Sequence, residues 1–519
     1  MSIERVITVH RLAIKMGFKV TDTVFDTLIT QALVIDGTGN KGVIQDVAIR
    51  DNKIAAIGNF SDNLTGNLSR TKAKSVINGK GLVLAPGFID VHTHDDLEVI
   101  RNPDMLAKIS QGVSTVIVGN CGISASPYQL ETSPPDPINL LGQQDEFQFA
   151  NLSGYINQLS QQKPNVNVVA LVGHTALRAQ VMDDLSQPAT PQEIEQMRVL
   201  LKQALAEGAK GLSTGLAYKN AKAAPSDEVE SLAKELSAFD AIYTTHLRTE
   251  FDGIIDALDE AFSLGINVGS PVVISHLKCA GKQNWGRSKE VIAHLENAQK
   301  SHEINCDCYP YHASSSTLDL NQVTDDFEIF ITWSEAAPDM AGKTLAAIAK
   351  AWELSLYEAA EKLMPAGAVY HGMNERDVEN IIQFPRSMIG SDGLPCDPHP
   401  HPRLWGSFPR VLGHFARDKK LLSLEHAIHK MTGLSATNFK LSQRGFIKPG
   451  YFADLVLFDA ETIKDQATFS EPFIRSTGIK YLWVNGQITY QEELGLRTDE
   501  NSRAGQFLKH EKTRLNSKT

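Results

Sequence analysis

The chain has 519 residues, and its 50 Lys plus Arg stand against 61 Asp plus Glu, a formal charge of −11. Hydrophobic residues make up 42% and charged residues 21%, the balance of a globular protein long enough to bury a large core. That acidic balance excludes a general nucleic-acid binder, which needs a basic face, and no apolar run reaches the roughly 20 residues that span a bilayer.

Arg5, Arg11, Lys15 and Lys19 interrupt the apolar residues at the start of the chain, so no export signal is expected there. Residues 1–25 form an extension of unassigned role. The first clear elements are Leu28 to Asn40 and Asp46 to Gly58, which alternate and stop at turn residues, as short antiparallel strands do. The same pattern returns in Gly450 to Asp459 and Tyr481 to Tyr490. We expect residues 26–85 and 435–490 to join in one small β domain, a β-sandwich. Residues 86–434 would be inserted between its two parts.

The middle alternates apolar runs with helical stretches such as Glu193 to Gly208, Glu228 to Phe239 and Ser288 to Ser301. Eight apolar runs end at His94, Cys121, His174, Thr214, His246, His276, Tyr309 and Asp392. Eight alternating units predict a (β/α)8 TIM-type barrel of the α/β class. The stretch from Tyr311 to Arg386 is too long for a structureless loop. It contains the helical pattern Gly342 to Leu363, which predicts a helical insertion over about 313–385, before the last strand. The polar tail, 491–519, is expected to be mobile beyond Thr498.

In a barrel every strand C-terminus opens onto one face, so residues about 300 positions apart can meet. His92, His94, Cys121, His246, His276 and Asp392 sit where apolar runs end. His92 and His94 are two apart, and on a strand both imidazoles would face one point, which suits a divalent metal. A pair of exposed loop histidines is the other reading of HxH. A thiolate at Cys121 would be a strong zinc ligand, whereas Cys279, Cys306 and Cys308 read as packing residues. Asp392 can act as ligand, general base or turn-capping residue. Lys278, Tyr309, Ser315 and Arg403 form a candidate anion pocket, or else are surface charges and turn residues. His174 reads as a hydrogen-bonding group, and the prolines around His399 and His401 suggest a rigid loop. Five cysteines, an odd number with no CxxC pair, suit a reducing, cytoplasmic setting.

The segments PGFIDVHTH, QGVSTVIVGNCGISASP, THLRTE, ISHLKCAG and GSDGLP resemble the amidohydrolase superfamily, and within it the D-aminoacylase branch, the N-acyl-D-amino-acid deacylases. The resemblance runs from about Asp26 to about Tyr490. It implies zinc-dependent hydrolysis of the amide of an N-acyl-D-amino acid, a small-molecule substrate, with no nucleic-acid or membrane partner. It implies that Cys121, His246 and His276 hold a tightly bound Zn2+, with Cys121 able to bridge to a second, weaker or empty position at His92 and His94. It implies that Asp392 is the catalytic carboxylate, and that Lys278, Tyr309, Ser315 and Arg403 hold the substrate carboxylate. Many members of the superfamily use a carbamylated lysine at the end of the fourth strand. Here that strand reads GLSTGL with Lys210 at its start, which favours the cysteine-bridged branch. The alternatives are a cyclic amidase of the hydantoinase or dihydroorotase kind, and a non-catalytic scaffold of the same fold.

Overall fold

A computed structural model of the chain describes residues 24–60, 72–496 and 503–511. Most of the predicted N-terminal extension lies outside the described residues, as do 497–502 and 512–519 of the tail.

The two ends of the chain meet in one nine-stranded sheet. The strand Val83–Pro86 is the junction: it pairs in parallel with Val24–Val34 and antiparallel with Leu455–Phe458. Alternating residues bury one face, where Ile29, Val47, Ile54, Leu84, Leu455, Leu457 and Trp483 form a core.

Between these ends run the predicted parallel strands: Phe88–Asp90, Val113–Val118, Asn167–Ala170 with Val172–Gly173, Gly211–Gly215, Ile242–His246, Val272–Ile274, Ile304–Cys308 and Ser387–Ile389. Strands such as Val113–Val118 are buried along their whole length, as expected of a sheet covered on both faces. Their pairing divides into a three-stranded and a six-stranded sheet rather than one continuous ladder. At one seam Leu171 carries the chain across, its N–H donating to the Val118 carbonyl at 2.9 Å. At the other, Thr93 bridges Gly393 in parallel. Between the sheets, Ile89, Ile117, Val169, Ile242, Val273 and Met388 pack on Ala436 and Phe439.

The covering helices follow from sequence. Pro191–Glu207 starts at Thr190, which with Glu193 makes a capping box. It buries Met197, Leu201, Ala204 and Leu205 along one stripe and stops at Gly208, whose φ of 119° a side chain would resist. Among the described residues no helix is long and apolar enough to cross a membrane.

The insertion departs from expectation. Its helices Leu345–Trp352 and Leu356–Leu363 pack on a four-stranded antiparallel sheet of Ser314–Thr317, Ala366–Tyr370, Ile329–Ser334 and Lys343–Thr344. Ile329, Ile331, Leu345, Ile348, Leu363, Ala368 and Tyr370 form its own core. The strands are short and carry serines and glycine, so their period was hidden beside the helical signal.

The tail also differs. Val168 N–H donates to Gln506 O at 2.9 Å and Leu508 N–H to Val168 O at 2.8 Å, so residues 503–511 dock beside the strand Asn167–Ala170. A Cβ at Gly505 would lie 2.0 Å from the Val166 carbonyl, which explains a glycine there. Polarity predicted mobility, but main-chain pairing needs no apolar side chains.

Candidate active site

The six candidate residues do converge, but from loops more than from strands. Only His246 ends its strand; His92 and His94 follow Phe88–Asp90, Cys121 follows Val113–Val118, His276 follows Val272–Ile274, and Asp392 follows Ser387–Ile389. The strand rule expected for the HxH pair is therefore not what aligns it. Elsewhere in the site, Cys121, His276 and Asp392 have φ of 52°, 35° and 51°, a left-handed conformation that costs a non-glycine residue free energy. Gly390 lets the segment after Ser387–Ile389 run close against His92, since a Cβ there would lie 2.4 Å from that of His92.

His92 Nε2 lies 3.1 Å from Cys121 Sγ, and Cys121 Sγ lies 3.3 Å from His276 Nε2. Asp392 Oδ1 is 3.5 Å from His92 Nε2 and 3.2 Å from His94 Nε2. The ligand atoms of His92, Cys121, His276 and Asp392 all fall within 4.8 Å of one another, and all four residues are buried. Ligands of a shared tetrahedral zinc at ~2.0–2.3 Å stand roughly 3.3–3.7 Å apart, so this donor set fits the ion. His246 packs its ring 4.4 Å from that of His276 and groups with it and Glu250. Geometry thus gathers His92 with Cys121 and His276, and sets His246 against Cys121 and His276 in the group of Glu250.

Electrostatics agree. Burial pushes the Cys121 thiol up, but the charges of His92 and His276 and hydrogen bonding to His246 outweigh it and hold it well below its usual value. Burial also pushes Asp392 up; the Arg403 guanidinium and the imidazoles hold its carboxyl well below the usual range. Burial disfavours charge on His94, yet hydrogen bonds to Asp392 and Cys121 raise it to about 9. The thiol of Cys121 and the carboxyl of Asp392 are thus both held toward their charged forms by cationic neighbours.

Beyond Asp392 stands the candidate anion pocket. Arg403 is fully buried; its Nη1 meets Asp392 Oδ2 at 2.8 Å and its Nη2 donates to the Ser315 carbonyl at 3.1 Å. Its guanidinium lies 4.7 Å from the Tyr309 ring centre, and Lys278 Nζ lies 5.9 Å from the same ring. All four pocket residues are buried, which sets aside the surface reading.

Two site residues escaped sequence reasoning. Asp307 holds His92 Nδ1 at 3.3 Å and accepts from the His276 amide at 2.9 Å; it lay hidden between Cys306 and Cys308. Glu250, four residues after His246 in THLRTE, lies 2.9 Å from His276 Nδ1. Its spacing was the available signal. His174 joins Glu228 at 2.9 Å beside Arg178, and His399 contacts the Phe469 carbonyl. Cys279, Cys306 and Cys308 are buried, and burial pushes the Cys279 and Cys308 thiols up to about 12.

The Amidohydrolase family pattern matches residues 75–329 and 377–490, leaving out much of the insertion. The chain belongs to this family and, within it, to the D-aminoacylase branch. It is 45% identical over 469 residues to a D-aminoacylase of Alcaligenes xylosoxydans xylosoxydans, covering 90% of this chain and 95% of the relative. A D-aminoacylase crystal structure superposes with a TM-score of 0.89 at 44% identity, covering 93% of this chain and 100% of the other. An N-acyl-D-glutamate deacylase of Bordetella bronchiseptica, solved with zinc and a phosphonate mimic of the tetrahedral intermediate, superposes with a TM-score of 0.88 at 41% identity, covering 94% and 100%.

Proposed function

We propose that this protein is a zinc-dependent deacylase that hydrolyses the amide of N-acyl-D-amino acids to a carboxylate and a free D-amino acid. The observation that carries the reading is the buried set of His92, Cys121, His276 and Asp392, with Arg403 and Tyr309 directly beyond Asp392. Cys121, His276 and His246 would hold the tight ion, and His92 and His94 a second, weaker position, with Asp392 contributing to either. When bound, zinc supplies a Lewis acid that polarises the scissile carbonyl and makes water more acidic. Arg403 and Lys278, backed by Tyr309 and Ser315, hold the substrate carboxylate and so orient the amide. Asp392, kept ionised by Arg403, takes the proton of the attacking water and returns it to the departing nitrogen, which would otherwise leave as a poor anion.

We read the two parallel sheets as one (β/α)8 barrel over 86–434, and the nine-stranded sheet as the sandwich of 26–85 and 435–490. The apolar layer between the sheets and the bridge at Thr93 support this. Five unpaired cysteines support a cytoplasmic setting. The deacylase relatives, matched over nearly their full length, favour linear amides over the cyclic amidase and the inert scaffold. An amine-release assay on N-acetyl-D- and L-amino acids with hydrophobic and acidic side chains tests the reading. Turnover of the D-series is expected; opening of hydantoins or dihydropyrimidines without amine release from the D-series would overturn it.

A further inference from the structure

Glu250 stands behind the metal-facing residues, not among them. His276 turns Nε2 toward Cys121 Sγ at 3.3 Å and Nδ1 toward Glu250 Oε1 at 2.9 Å. The same Glu250 oxygen takes the ammonium of Lys278 at 2.5 Å, and its other oxygen lies 3.7 Å from His246 Nε2. His246, Glu250 and His276 are spaced as a metal site would be. However, Lys278 Nζ, 2.8 Å from His276 Nδ1, fills the place where an ion joining Glu250 to His276 would sit. Two like charges do not share such a spot in a buried setting.

A carboxylate behind a metal-bound imidazole fixes the ring's tautomer and orientation and makes it a better donor. Here that carboxylate also anchors the lysine aimed at the substrate. We propose that Glu250 is a positioning residue that sets His276 and Lys278 together, so that metal affinity and recognition of the substrate carboxylate depend on one side chain. The substrate half rests on the deacylase reading; the metal half does not.

The test compares wild type, Glu250→Gln, Glu250→Asp and Lys278→Met. Zinc Kd is measured by competition with a chromophoric chelator. KM and kcat are measured on an N-acetyl-D-amino acid and on its methyl ester. Glu250→Gln should weaken zinc by about 10–100-fold while the stoichiometry at saturation stays that of wild type. It should also raise KM about tenfold or more for the free acid, and far less for the ester. Lys278→Met should show the same KM effect with zinc Kd within about threefold of wild type. Glu250→Asp, which keeps the charge on a shorter arm, should recover part of both losses. Unchanged zinc Kd or unchanged KM in Glu250→Gln overturns the proposal. So does loss of a whole ion at saturation, which would make Glu250 a ligand, or recovery of one property without the other in Glu250→Asp. If wild type releases no amine, the deacylase reading fails, and the zinc comparison still decides the metal half.

Discussion

The main-chain amide of Asp392 donates to the carbonyl of His92 at 2.7 Å. Asp392 and His92, 300 residues apart in the chain, are thus joined backbone to backbone. Below this bond Lys108, fully buried, reaches Asp90 at 2.9 Å, Asp95 at 3.2 Å and the Ser391 hydroxyl at 2.8 Å. Asp90 in turn accepts from the Ser391 amide at 2.8 Å. One buried ammonium therefore ties the loop of His92 and His94 to the loop of Asp392.

Removing that tie should cost both stability and rate. Lys108→Met leaves two buried carboxylates without their cation, a loss of about 3–5 kcal/mol. Ser391→Ala removes a single hydrogen-bonding group and should cost about 1 kcal/mol. Urea midpoints give the first quantity, and kcat should fall in the same order in the folded variants. Full kcat in a folded Lys108→Met would show that the two loops hold their places without it.

Asp392→Asn should lower kcat by about a thousandfold or more, as expected when a proton carrier is lost together with its charge. Cys121 and His276 remain, so elemental analysis should still find zinc. Near-normal turnover would reject Asp392 as the base.

Cys121→Ala should deplete zinc, and Cys121→Ser should retain part of it, because oxygen is a poorer partner for this ion than a thiolate. Metal content after dialysis decides. Wild-type zinc in the alanine variant would remove Cys121 from the ligand set.

Arg403 touches Asp392 as well as the expected carboxylate pocket, so its loss has two signatures. Arg403→Ala should raise KM for a free-acid substrate more than for its ester, and lower kcat for both. A kcat unchanged on the ester would separate the guanidinium from Asp392.

Burial raises Glu228, but hydrogen bonding to His174 and Arg178 outweighs it and lowers the folded-state value to about 2. A depressed carboxylate contributes stability in full above its ordinary value of 4.5 and loses it as pH falls toward 2. Wild type should exceed Glu228→Gln in stability at pH 6, and the gap should narrow below about pH 4.5. Urea unfolding at several pH values checks the sign; a gap that widens on acidification would refute it.

The gathering of His92, Cys121, His276 and Asp392 was legible in the sequence because they sit at the ends of apolar runs. They could be found by asking where each run stops. What was not legible is how they are aimed. The left-handed backbone at Cys121, His276 and Asp392 leaves no trace in residue type, since none is glycine. Glu250 and Asp307 act through partners distant in sequence, and an isolated acid has no period to betray it. The insertion's sheet was masked because two good helical patterns occupied its middle.

The hold of the insertion on Arg403 runs through the main-chain oxygen of Ser315 rather than its hydroxyl. A peptide oxygen is present whatever amino acid the gene specifies at that position. The side chain at 315 can therefore change while the guanidinium keeps this anchor.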